Sequence, residues 1–184
     1  MGKQQFEDFL KQEHDKAQTP KFDPTQRIKE WLELINNLFG NVQDWLKDYT
    51  SKGQVQLEVK NSQHFEERLG GYEAPEMSIK INNKIATLIP IGTIMIGTRG
   101  RIDLVGHKGT IRFILADKNA TKPRIEVKVY TSDEDRKRQE AEEKNKPKPT
   151  IELVWKIATN PPNIEYITLN QETFLQCLLE VVNG

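Results

Sequence analysis

The stretch from Met77 to Tyr130 constrains the fold more than any other, because apolar and polar residues alternate through it in short runs. A period of two places successive side chains on opposite faces of a strand, so each run predicts a strand with one apolar face. Short runs joined by tight turn signals are typical of an antiparallel meander. The rest of the chain must then cover the apolar face of the sheet.

Two hairpins within this stretch can be placed in register. Asn82-Asn83 separates two alternating runs, and asparagine tolerates the positive φ that a two-residue turn requires. His107-Lys108 separates the next two runs in the same way. Both registers keep apolar residues opposite apolar residues. They pair Met77 with Leu88, Ile79 with Ala86, Ile102 with Phe113, Leu104 with Ile111 and, on the polar face, Asp103 with Arg112.

Two helices are predicted to cover the sheet. The first begins with Asp23 as N-cap and Pro24 at its first position, and its apolar residues recur at intervals of three and four up to Gly53. This stripe favours packing on the chain's own sheet; the alternative is a homodimer through the seam at residues 28–49. The second helix spans 170–182, and its cap is either Thr168 or Asn170.

The predicted fold class is therefore α+β. An antiparallel meander sheet of about six to eight strands carries both helices, 24–52 and 170–182, on one face. Residues 1–22 are predicted to form a peripheral helical segment, and residues 23–184 a single domain. Residues 131–150 contain charged side chains, prolines and almost nothing apolar, so we expect a mobile loop there.

Composition narrows the function classes. Lysine plus arginine equals aspartate plus glutamate at 27 each, so no overall charge favours a nucleic acid or an anionic membrane. The single cysteine, Cys177, excludes an internal disulfide, and the three histidines lack the spacing of a metal site. No cofactor motif is present, and no apolar run approaches a membrane span. These features favour a cytoplasmic protein without a membrane segment.

One constellation could carry catalysis. Asp103 lies on one predicted strand, and Glu126 and Lys128 lie on a later one as Glu-x-Lys. This arrangement resembles the core signature of the PD-(D/E)XK nuclease fold. The resemblance implies that the two carboxylates bind Mg²⁺ and that the lysine orients or activates the attacking water.

The alternative is an ordinary solvated sheet face. A complete strand, residues 109–116, intervenes between the two halves of the motif, which separates the carboxylates by about 10 Å in a simple meander. Arg112 offers Asp103 a direct partner across the hairpin. Alternation also generates Glu-x-Lys freely on any strand that faces water.

A basic stretch offers a second candidate site. Arg99 and Arg101 are flanked by glycines, and Lys108 and Arg112 follow closely. Backbone N–H groups beside arginines can hold a phosphate, which predicts contact with an anion or a nucleic acid. In the alternative interpretation, the glycines admit a bend and the arginines cover the sheet edge.

The absence of a nucleophile, cofactor or metal motif favours a non-catalytic intracellular binding or accessory protein that acts through protein–protein contacts. We expect its partner surface on the polar sheet face, in the Arg99–Arg112 region or in the charged loop. A Mg²⁺-dependent nuclease and an anion- or nucleic-acid-binding module are the alternatives, and Mg²⁺ is expected only for the nuclease.

Overall fold

The computed structural model describes residues 6–7, 23–93, 99–123, 132, 138 and 151–184. Within these ranges the fold is α+β, with a seven-stranded antiparallel sheet in the meander order β1 to β7, as predicted. The elements are α1 (Pro24–Ser51), β1 (Gln56–Glu66), β2 (Gly70–Ile81), β3 (Lys84–Gly92), β4 (Arg101–Gly106), β5 (Gly109–Asp117), β6 (Leu153–Ala158), β7 (Tyr166–Thr168) and α2 (Gln171–Asn183).

Both predicted hairpin registers are confirmed. Asn82 adopts a φ of 54° in the β2–β3 turn, which is the conformation that asparagine tolerates. In β4–β5, Ile102 lies opposite Phe113 and Asp103 lies opposite Arg112. The β2–β3 pairing places Met77 opposite Leu88 and Ile79 opposite Ala86. The strand expected at 124–130 lies outside the described residues, as does nearly all of the loop expected at 131–150.

The first strand is longer than its local pattern predicts. The alternating residues predict a strand at 54–60, and the sequence favours a short, separate strand at 64–69, but β1 runs without a break from Gln56 to Glu66. It pairs with β2 over its whole length, from Gln56 opposite Lys80 to Glu66 opposite Gly70. The polar residues at 61–63 interrupt the alternation of apolar side chains without interrupting the ladder.

Helix α1 packs its apolar stripe on its own sheet. The side chain of Asp23 accepts hydrogen bonds from the amides of Thr25 and Gln26, as an N-cap should. The helix continues through Gly40 without a break. The burial of the stripe residues in the chain's own core agrees with packing on the sheet, and the homodimer through the seam at 28–49 stays a prediction. The buried stripe residues are Trp31, Ile35, Leu38, Phe39, Val42 and Leu46.

Helix α2 closes the same core. Asn170 is its N-cap and forms a capping box with Thr173, which decides between the two predicted caps. Phe174 of α2 packs against Phe113 of β5, with ring centroids 6.2 Å apart. Cys177 is a free, buried thiol. None of the helices in the described part of the chain is long and apolar enough to cross a membrane.

A smaller apolar cluster lies on the opposite face, which we call the outer face. Lys156 is buried beside it, and its ammonium group donates to the carbonyl oxygens of Lys118 (2.7 Å) and Ala120 (2.6 Å). These bonds hold the chain after β5 against β6. The cluster comprises Ile114, Ala116 and Ala158, with Ile164 and Tyr166 packed against it.

Candidate functional site

Asp103 lies on the outer face of β4 and is bound by the arginine two residues before it. Nε of Arg101 donates to Oδ1 of Asp103 at 2.6 Å, and Nη2 donates to Oδ2 at 2.7 Å. Asp103 is 6% exposed, so this bidentate pair satisfies a nearly buried carboxylate. Although Arg112 lies opposite, as predicted, it does not form the ion pair with Asp103 that the sequence suggested.

This pairing bears on the nuclease hypothesis. Each oxygen of Asp103 already accepts a charge-assisted hydrogen bond, and the adjacent guanidinium charge of Arg101 opposes a divalent cation at the same place. Glu126 and Lys128 lie outside the described residues. Within the described ranges, no three His, Cys, Asp or Glu side chains gather in a way that could hold a metal ion. The nuclease therefore remains a prediction.

The four basic residues of the predicted anion site do not form one patch. Arg101 is bound to Asp103, and Arg112 donates to Thr159 O and to Oδ1 of Asn160, both at 3.0 Å. Lys108 lies at the β4–β5 turn, at the far end of β4, where its amide donates to Val181 O of α2. Two of the guanidinium groups are thus held by the protein, and the lysine is at the other end of the hairpin.

The backbone around Arg99 and Gly100 is also engaged. The Arg99 amide donates to Leu115 O (2.9 Å), and the Leu115 amide donates to Gly100 O (2.8 Å). A Cβ on Gly100 would meet the Trp31 ring at 3.1 Å or closer, so glycine serves here to let the backbone touch the indole. This stretch extends the β4–β5 pairing rather than presenting free N–H groups to a phosphate.

A cluster that the sequence did not reveal joins β1 to β2. Oγ of Ser62 donates to Oε1 of Glu76 (2.5 Å) and lies 2.8 Å from Nε2 of His64. In a Ser–His–acid triad the acid binds the other ring nitrogen of the histidine. Here Oε1 of Glu76 lies 3.8 Å from the same Nε2. The carboxylate and the imidazole therefore approach the Ser62 hydroxyl from the same side of the histidine ring. The cluster joins the two strands and lacks the acid–histidine–serine order of a triad.

A second polar contact fixes the far end of this hairpin. The hydroxyl of Tyr72 donates to Oε1 of Glu66 (2.6 Å), while the amide and hydroxyl of Thr93 donate to Oε2, both at 3.0 Å. Burial raises the pKa of Tyr72, and the Glu66 carboxylate adds to the effect. The β1–β2 hairpin is thereby held against the end of β3.

Strand β1 is long and largely exposed to solvent. Among the described strands it pairs with β2 alone, and its other edge faces no strand of the described residues. Seven of its eleven residues are exposed and none is buried, so much of the strand is accessible to solvent. Val59 is 46% exposed and Phe65 is 77% exposed. A long open edge with apolar side chains is a template for another strand.

The charges on β1 stand on either side of Val59. Glu58 and Lys60 project from the same face, and their side chains form an exposed ion pair with Nζ 2.9 Å from Oε1. The opposite edge of the described sheet differs, because β7 has only three residues and its Tyr166 amide is bound to Thr121 O. Among the described strands, β1 is therefore the edge suited to strand addition.

An apolar groove of about 600 Å³ lies between α1, the β2–β3 turn and α2. Tyr49 and Leu179 are exposed along it. The ammonium group of Lys84 at its rim is bound to Oδ1 of Asn183 at 2.7 Å. The groove thus offers mainly apolar contact, with the Lys84 ammonium group oriented at its rim by Asn183.

Sequence reasoning missed the β1 edge because residues 61–63 divide its alternating pattern. One feature of the sequence could have indicated this edge, because the first strand of a meander lies at an edge of the sheet. No protein-family model, no curated protein and no solved structure matches this chain.

Proposed function

We propose that this chain is a non-catalytic protein-binding module that pairs an extended segment of a partner with the open edge of β1. The observation that carries the proposal is an eleven-residue strand that pairs with β2 on one side, has no described strand on its other side and exposes most of its residues. In strand addition, main-chain hydrogen bonds supply affinity and alternate side chains supply specificity. We also propose that the protein acts in the cytoplasm.

The side chains of β1 suit this role. Val59 and Phe65 offer exposed apolar contacts. Glu58 and Lys60 place one negative and one positive charge beside the open edge, so a partner strand is selected by the order of its own charges. The braces at Ser62–Glu76 and Tyr72–Glu66 stiffen the β1–β2 hairpin, which lowers the entropy lost on binding.

The polar face supports the alternatives less well. A metal at Asp103 would lie beside the guanidinium charge of Arg101, and an anion at Arg112 would share a guanidinium whose Nη2 already donates to Thr159 and Asn160. The strand-addition proposal meets no such competition, because no described strand occupies the outer edge of β1.

The direct test is binding of a fluorescein-labelled peptide, Thr-Val-Glu-Val-Lys-Val-Thr, followed by fluorescence anisotropy with dilute protein. Antiparallel to β1, this peptide sets its lysine opposite Glu58 and its glutamate opposite Lys60. The matched control, Thr-Val-Lys-Val-Glu-Val-Thr, has the same composition and places like charges opposite each other. We expect the control to bind about tenfold more weakly.

The Lys60→Glu protein provides a second control, because it should lose its preference for the first peptide while remaining folded. Equal affinity for both peptides, or no binding of either, contradicts the proposed function. Binding that is unaffected by substitutions on β1 contradicts the location of the site.

A further inference from the structure

We infer that the strand accepted by the β1 edge is β1 of a second copy, paired antiparallel about a two-fold axis through Val59. This inference rests on the proposed function and names its partner. It depends on the open edge of β1 and on the order of the charges Glu58, Val59 and Lys60 along it.

Symmetry limits the available registers. Two copies of an edge strand can pair antiparallel about a two-fold axis perpendicular to the sheet. Each residue then lies opposite a residue of the other copy whose side chain points to the same face of the sheet. This condition holds only when the axis lies midway between the two copies of one residue, which is then opposite its own copy. The position of the axis decides every other pairing along the two strands.

Electrostatics selects among these positions. An axis at Glu58 sets two glutamates face to face, and an axis at Lys60 does the same with two lysines, which is unfavourable. An axis at Asn61 pairs Lys60 with Ser62 and forms no cross-strand ion pair. An axis at Gln63 sets Lys60 opposite Glu66, but both oxygens of that carboxylate already accept hydrogen bonds from Tyr72 and Thr93. An axis at Val59 places Glu58 of each copy opposite Lys60 of the other.

Among these registers, the Val59 axis is therefore the one whose two cross-strand ion pairs use only exposed charges of β1. It also brings the two exposed Val59 side chains together, which removes apolar surface from water. The intrachain Glu58–Lys60 pair, 2.9 Å long, becomes part of a ring of four alternating charges. Two seven-stranded sheets then join into one, with the helices of both copies on the same side.

The open edge and its charges suggest a dimer that can be tested by charge exchange. Sedimentation velocity is recorded for the full chain from dilute solution up to about 1 mM, a range that reaches weak complexes. The wild-type mass should rise from one chain toward two. Glu58→Lys alone and Lys60→Glu alone each place like charges in both ion pairs, so each variant should stay monomeric.

Two combinations should restore association. The double variant Glu58→Lys/Lys60→Glu re-forms both ion pairs with reversed sign and should dimerise again. An equimolar mixture of the two single variants should form a heterodimer, because one variant edge then carries two positive charges and the other carries two negative charges. Lys80→Glu, an exposed charge change on β2, is the matched control and should dimerise like the wild type.

Cross-linking tests the register independently. Under mild oxidation Val59→Cys should form an interchain disulfide, because the two substituted positions meet at the axis within the reach of about 7 Å that a disulfide allows. Asn61→Cys should not, because its two copies lie about 14 Å apart in this register. The wild type controls for Cys177, which is buried.

The outcomes separate the inference from the proposed function. A wild type that stays monomeric but binds the Glu-Val-Lys peptide overturns the inference and leaves the function in place. Failure of both measurements overturns both. A disulfide at Asn61→Cys without one at Val59→Cys, or dimerisation that ignores the charge exchanges, also overturns the inference, whereas rescue in the mixture together with the Val59→Cys disulfide supports it.

Discussion

Arg101 and Asp103 lie two residues apart on the same strand and hold each other in a bidentate ion pair on the outer face, with N–O distances of 2.6 and 2.7 Å. The aspartate is nearly buried, whereas a quarter of the Arg101 side chain is exposed. The two partners therefore depend on the pair unequally, because the arginine can reach water by itself and the carboxylate cannot.

Truncating the arginine should cost more than neutralising the aspartate. We expect Arg101→Ala to lower the free energy of unfolding by about 2 kcal/mol, because it leaves a buried carboxylate unpaired, and Asp103→Asn by about 1 kcal/mol. Urea unfolding of both single variants and the double variant Arg101→Ala/Asp103→Asn measures the coupling. If the double variant loses more free energy of unfolding than the two single variants lose together, this structural role for the pair is contradicted.

Substitution of the same aspartate also tests the nuclease hypothesis. If the ion pair is structural, Mg²⁺ should stabilise the wild type and Asp103→Ala equally, within error, in a thermal-shift titration. A Mg²⁺-dependent stabilisation of the wild type that disappears in a folded Asp103→Ala or Glu126→Ala variant favours the metal site instead.

Lys156 should be needed for stability although it pairs with no described carboxylate. Its ammonium group binds the carbonyl oxygens of Lys118 and Ala120, and Lys156→Met leaves both acceptors unpaired. We expect a loss of about 2 kcal/mol in the free energy of unfolding. Lys118→Met is the control, since its ion pair with Glu152 is exposed, and it should cost no more than about 0.5 kcal/mol. Equal effects at both positions contradict this role.

The β4–β5 hairpin supplies a packing test with an internal control. A Cβ on Gly106 would fall on the Val181 carbonyl group of α2, 2.7 Å from its carbon. Gly106→Ala should therefore destabilise the protein by about 2 kcal/mol, because backbone atoms have to move. Gly109, its partner across the hairpin, has nothing within 4 Å of that position, so Gly109→Ala should be nearly neutral in thermal unfolding. The opposite order contradicts the docking of α2 on this turn.

Alkaline pH should weaken the fold. Burial, assisted by the Glu180 carboxylate, raises the pKa of the Cys177 thiol from 9.0 to about 11. The unfolded chain therefore releases this proton first as pH rises, so the thiol's contribution to stability is intact below pH 9 and is lost between pH 9 and 11. The free energy of unfolding should fall less steeply for Cys177→Ala over this window. An unchanged slope contradicts the assignment.

The centre of the sheet could be predicted because two independent patterns agree there. In the β4–β5 hairpin the apolar pair Ile102–Phe113 and the polar pair Asp103–Arg112 require the same register, and the structure adopts it. The identity of the ion pair could not be predicted in this way. Arg101 and Arg112 both flank Asp103 on the outer face, and the choice depends on Thr159 and Asn160, which bind Arg112 from a distant part of the chain.

The candidate site could be predicted less well than the fold. Residues 61–63 lack the apolar alternation by which strands are recognised. The sequence pattern therefore predicts two short strands where the structure has the single strand β1. The continuity of β1 comes from β2, which pairs with it residue by residue and supplies Glu76 as a partner for Ser62. Such cross-strand support is absent from a local pattern, which explains why the long edge became visible only in three dimensions.

The most direct test of the open edge is amide hydrogen exchange along β1, followed by mass spectrometry over a range of protein concentrations. If β1 pairs with a second strand, peptides covering residues 56–62 should exchange more slowly as the concentration rises, while peptides from the central strand β4 should not change. Exchange in β1 that is the same at every concentration and unaltered by the Glu-Val-Lys peptide contradicts strand addition at this edge.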